Sequence, residues 1–256
     1  FGRLEAIIIA TTQSWTTLAT SAWNPFPMPI LLLLILINLG KRRVSYRNIF
    51  LITLFASLSF HFSSAYAVFY LVTIPLILIR KMIIAKQEIN LKFILLGLLG
   101  FIIPFVPQIV FEFRHDFIET KAIINYLSQS TPKQERLPLI EILVSMVKEI
   151  SNSIVPRFRS FSFSLLNQLM ILIFVTTVLL GLYNLIKNKK RIKYTFEALV
   201  FILIPTVGFY FLHFNVWYTY GMFGISLIFL TQFIKEAPKF IKNILITLYF
   251  LSSIVS

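Results

Sequence analysis

The 256 residues are 57% hydrophobic and only 13% charged, with 27 Phe and a mean hydropathy of +0.83. A water-soluble domain of that balance would expose far too much apolar surface, and long apolar runs favour helices over barrel strands, so the expected fold is an all-α polytopic membrane protein. The formal charge of +14 does not mark a nucleic-acid partner, because most of the 24 Lys and Arg fall in four short clusters between apolar runs. With no Cys, disulfide frameworks and thiolate metal sites are excluded.

The clusters are Lys41–Arg47, Arg80–Lys92, Lys187–Lys193 and Lys235–Lys242. The positive-inside rule places them in cytoplasmic loops of the inner membrane. The chain starts without Met and its final apolar run is short, which reads as an internal fragment cut at both ends. On this reading residues 1–256 form a single transmembrane domain, with an outer loop at 111–160.

Ala6–Gly40 is uncharged and too long for one crossing. Its prolines predict two helices meeting at an outer turn near Trp23–Pro29. Asn48–Ile79 repeats the pattern, broken centrally at His61–Ser64. Next comes Phe93–Phe111, a span whose one polar side chain is Gln108, and it delivers the charged cluster Glu112–Phe117 to the outer face.

The outer excursion continues to Ser160. Within it, Pro138–Ile154 sets Ile140, Leu143, Val144, Val147, Ile150 and Ile154 on one face, with Glu141, Ser145, Lys148, Glu149 and Asn152 opposite. That pattern predicts an amphipathic helix lying on the membrane. Leu165–Ile186 returns inward, and Ala198–Ile234 forms a hairpin with an outer turn at His213–Gly221. The expected total is eight or nine transmembrane helices.

Candidate chemistry gathers at the outer ends. His61, His115 and His213 all fall there, either as amphipathic interface rings or as ligands for phosphate or a divalent metal. Glu112, His115, Asp116 and Glu119 share one face if the helix continues past Phe111, a face able to hold a metal or position an acceptor hydroxyl. Arg157 and Arg159 suit phosphate oxygens or lipid headgroups. Trp217, Tyr218 and Tyr220 suit an aromatic belt or a sugar-stacking surface. No nucleotide-binding glycine loop, GxSxG or HExxH motif is present, and no acid or base sits in mid-span as proton-coupled transport usually requires.

At WNPFPMP, HFSSAY and PFVPQIVFEFRHDF the sequence resembles bacterial members of the GT-C glycosyltransferase superfamily, in the manner of protein O-mannosyltransferases and lipid A aminoarabinose transferases. Trp23-Asn24-Pro25, Ser59-Phe60-His61 and Glu112-Phe113-Arg114-His115 carry the likeness. It implies an inverting transferase of the inner membrane, its active side outward, using a polyprenyl-phosphate-linked sugar. The acceptor would be a glycan, lipid or protein. Arg114, His115, Arg157 and Arg159 would meet the donor phosphate, and the family's catalytic Asp is expected upstream of residue 1. A non-enzymatic lipid-linked oligosaccharide flippase or scaffold, or a polysaccharide polymerase or ligase of related fold, stands as the alternative.

Overall fold

The computed structural model describes residues 3–12, 27–41, 43–128, 137–155, 164–188, 195–211 and 215–255. Among them all regular structure is helical. In order these are α1 (Arg3–Thr11), α2 (Met28–Leu39), α3 (Tyr46–Ala67), α4 (Tyr70–Ala85), α5 (Leu91–Ile102), a 3-10 turn (Ile103–Phe105), α6 (Val106–Arg114), α7 (Ile118–Ser128), α8 (Leu139–Ile154), α9 (Ser164–Lys187), α10 (Thr195–Phe211), a 3-10 helix (Val216–Met222), α11 (Phe223–Glu236) and α12 (Lys239–Val255).

The helix ends follow from local chemistry. Pro27 caps α2 and Pro29 lies in its first turn, where a missing N–H costs nothing. The Ser45 hydroxyl accepts from the Asn48 amide to cap α3, and the Asn90 side chain accepts from the Phe93 amide to cap α5. Lys86 ends α4 in the left-handed conformation. The expected break at His61–Ser64 is a non-helical Ser63 inside α3, and the chain reverses slightly later, at Val68–Phe69.

Inter-helix contacts fix the directions. The Gln87 amide clasps Val44 by accepting from its N–H at 3.1 Å and donating to its carbonyl at 2.7 Å. The end of α4 therefore lies beside the start of α3. The Asn90 amide donates to the Tyr46 hydroxyl at 2.6 Å, which brings in the start of α5.

From there α3 and α5 run parallel. Tyr46 meets Phe93, Gly97 meets Ile49, Ser57 donates to the Phe101 carbonyl at 2.5 Å, and Phe60 meets Phe105. Gly100 sits so close to the Phe50 carbonyl that a methyl group there would overlap it. Small residues permit such backbone approach.

In the other half, α4 and α10 are antiparallel, pairing Arg80 with Phe196 and Tyr70 with Phe201. Helices α9 and α11 are parallel, with Gly181 against the Phe233 carbonyl and the Asn184 amide donating to the Glu236 carbonyl at 2.9 Å. Two apolar cores result. One joins Leu32, Ile35, Tyr66, Ile77, Phe201 and Phe209, and the other joins Ile8, Phe174, Leu227, Ile234 and Tyr249.

The expectation of eight or nine spans is not met. Among the described residues three helices are long and apolar enough to cross a membrane: Tyr46–Ala67, Leu91–Arg114 and Leu165–Lys187. Met28–Leu39 and Thr195–Phe211 are apolar but shorter. At 1.5 Å per residue, α2 covers about 18 Å of a hydrocarbon core of about 30 Å. Proline sets its start, while charged residues occupy the ends of α4 and α12, so apolar length is lost at helix termini. The expected outer turn near Trp23–Pro29 falls largely outside the described residues.

Helix α8 also differs from expectation. It is amphipathic, but Ile142, Met146, Ser153 and Ile154 are its buried residues, and Thr206 of α10 donates to the Met146 sulfur at 3.3 Å. Ile140, Val144 and Val147 remain exposed. The apolar arc of this helix is wider than one packing contact can use. One edge docks on the bundle and the rest stays exposed.

Candidate functional site

The charged sequence after Phe111 builds a sharp corner between α6 and α7. Asp116 (φ 53°) and Phe117 (φ 58°) are consecutive left-handed residues, and neither is glycine. Such a conformation costs roughly 1–2 kcal/mol per residue. Asp tolerates it through its short polar side chain. Phe117 recovers contact by packing edge-on against Phe113, with ring centroids 5.2 Å apart. The Phe117 amide donates back to the Glu112 carbonyl at 2.9 Å and closes the turn.

Glu112 is buried at this corner. Its carboxylate accepts from the Glu119 amide at 2.9 Å, the Thr120 amide at 2.9 Å and the Thr120 hydroxyl at 2.5 Å. These amides are among the first N–H groups of α7, which have no partner inside the helix. Glu112 therefore caps the next helix from the previous one, and its negative charge faces the positive end of the α7 dipole.

The shared face expected for Glu112, His115, Asp116 and Glu119 does not form, because the helix stops at Arg114 and the backbone turns left-handed. Glu119 instead accepts from the Gln108 amide at 2.9 Å. The His115 ring stacks on Phe111 at 4.1 Å, with Nδ1 2.9 Å from the Phe111 carbonyl. Arg114 is exposed at the end of α6. No group of three or more His, Asp or Glu able to hold a metal is present among the described residues.

Against this corner lies an open groove of about 490 Å³. Phe101, Phe105, Ile109, Phe113 and Phe117 make its wall, with Gln108, Glu112, Glu119 and Thr120 along one edge. Pro104, which lacks the N–H needed to continue the ladder, lies in the 3-10 turn between α5 and α6, beside Phe105 of this wall. His61 joins from α3, its ring 5.1 Å from Phe105. Of the expected site residues, Glu112 and Glu119 line this groove, while Arg114 and His115 end α6 outside its lining and His61 meets it only through Phe105.

The aromatic group sits elsewhere. Tyr218 stacks on Phe209 at 5.6 Å, so one ring face is covered by protein and closed to a sugar. Tyr220 is half-buried against Phe223. Burial first, and then the negative charge of Glu149, hold its phenol above the ordinary tyrosine range. Glu149 was expected on the solvent face of an interfacial helix. Its place beside Tyr220 follows from the docking of α8, which periodicity alone does not specify. Arg157, Arg159, His213 and the side chain of Trp217 lie outside the described residues.

No protein family, no curated protein and no solved structure matches the chain.

Proposed function

We propose that this chain is an integral-membrane glycosyltransferase that moves a sugar from a polyprenyl-phosphate donor to an acceptor on the outer side of the membrane. The observation supporting this reading is the aromatic groove of about 490 Å³ whose lining reaches Phe113, the residue before the exposed Arg114. Ligand sites are concave, mainly apolar, and carry a few polar groups at defined places. An isoprenoid tail would lie along Phe101, Phe105 and Ile109, and Arg114, exposed at the end of α6, would reach over to its phosphate. A guanidinium there would stabilise the charge that grows on the phosphate as the sugar departs.

A non-enzymatic lipid-linked oligosaccharide flippase or scaffold is the second reading. Glu112, whose carboxylate oxygens are committed to capping α7, is not free to act as a base under either reading.

The deciding experiment is sugar transfer from a synthetic polyprenyl-phosphate donor by the intact, folded protein. Arg114→Ala should lower turnover on the order of a hundredfold, as removal of a transition-state donor does. Arg114→Lys should recover part of it, because lysine keeps the charge and loses the fork. Near-normal turnover by folded Arg114→Ala would refute the phosphate role. Absence of any transfer, with retained carrier binding, would favour the second reading.

A further inference from the structure

We propose that the seam between α4 and α10 binds one anionic phospholipid, with the headgroup phosphate on Arg80. The guanidinium carbon of Arg80 stands 4.4 Å from the centroid of the Phe196 ring. That contact holds the cation over the ring, and Arg80 remains exposed. Its guanidinium fork matches two phosphate oxygens, and the ring holds it in place beforehand.

Glu197 is buried and acts on Lys81, whose ammonium group donates to the Lys41 carbonyl at 3.3 Å. Arg80 itself is exposed.

The acyl chains have a surface prepared for them. On α10, Phe196, Leu199 and Leu203 recur at i, i+3 and i+7, so they lie on one face below the guanidinium. Leu199 and Leu203 are exposed, and so are Leu76 and Ile79 on α4. The two helices run antiparallel at this contact, so both stripes extend from the Arg80 level toward the opposite end of the bundle. A cation at the head of a two-helix apolar strip has the chemistry of a phosphodiester with fatty chains. Basic sites between membrane helices bind anionic headgroups in this way. The inference is independent of the proposed glycosyltransferase reading.

The test is native mass spectrometry of the intact protein in detergent, titrated with phosphatidylglycerol, phosphatidylcholine or inorganic phosphate. Phosphatidylglycerol should bind more tightly than phosphatidylcholine, and inorganic phosphate should not displace it. Arg80→Gln should weaken phosphatidylglycerol about tenfold while leaving phosphatidylcholine unchanged. Lys92→Gln, which removes the cation 5.0 Å from the Tyr46 ring, should keep full affinity. Should Arg80→Gln not fold, Phe196→Leu serves instead, since it retains the charge, loses the platform and should weaken the same lipid. Equal affinity for the two lipids, displacement by phosphate, or undiminished binding in the variant tested would overturn the proposal.

Discussion

The hydroxyl of Tyr66 donates to the carbonyl oxygen of Phe201 at 3.0 Å, and Phe201 stands four residues before Pro205. Proline has no N–H, so the Phe201 carbonyl lacks the donor that an ordinary helix would supply. A side chain from α3 satisfies it, deep in the larger core. Tyr66→Phe should therefore destabilise the protein by about 1–3 kcal/mol. In a Pro205→Ala background the helix regains its own donor, and the same substitution should cost much less. A double-mutant cycle by unfolding in detergent measures the difference, and strict additivity would contradict this account.

Glycine substitutions should rank by what the added methyl meets. At Gly181 it overlaps the Phe233 carbonyl, which is backbone and cannot turn aside. At Gly97 it lies 3.3 Å from the Ile49 side chain, which can shift. Gly181→Ala should lose about 1–3 kcal/mol, the usual cost of overpacking, and Gly97→Ala less. Thermal unfolding of the two variants side by side checks the order.

Removing the cap at the α6–α7 corner should loosen α7 without unfolding the bundle. Glu112→Ala deletes all three acceptor contacts, whereas Thr120→Val deletes only the hydroxyl one. Amide exchange across Ile118–Ser128 should accelerate in both, and more in Glu112→Ala. Protection equal to the wild type in Glu112→Ala would show that the turn holds α7 unaided.

Cysteines placed at the two ends of the bundle should report opposite sides. Ser64 and Glu88 are both exposed, and they lie at opposite ends of the α3–α4 hairpin. In sealed vesicles an impermeant thiol reagent should label Ser64→Cys or Glu88→Cys, not both. Labelling of both from one side would break the hairpin arrangement.

Much of the helical layout was legible because it rests on short-range chemistry. The break at His61–Ser64 and the apolar stretch ahead of Arg114 both follow from residues within a few positions. The corner at Asp116–Phe117 was not legible, because no glycine or proline announces it and the packing of Phe117 on Phe113 helps to hold it. Glu112 looked like a site acid for the same reason, its partner Thr120 being eight residues away. The exposed and buried arcs of α8 were equally hidden, since hydrophobicity states how much of a helix avoids water and not which neighbour covers it. Side-by-side parallel pairs such as α3 and α5 could not be read from a chain whose consecutive helices invite hairpins.

The contact between Asn184 and Glu236 spans 52 residues, and it joins helices that point the same way. Two parallel neighbours cannot meet until the chain between them has crossed back. During synthesis α9 therefore leaves the ribosome well before α11 exists. At about 5–20 residues per second the wait is on the order of several seconds. Through that interval the notch at Gly181 faces lipid or a chaperone, and only the late arrival of Phe233 fills it. The order of translation is thus written into which helices touch, and a pause engineered ahead of α11 would lengthen the life of the half-built bundle.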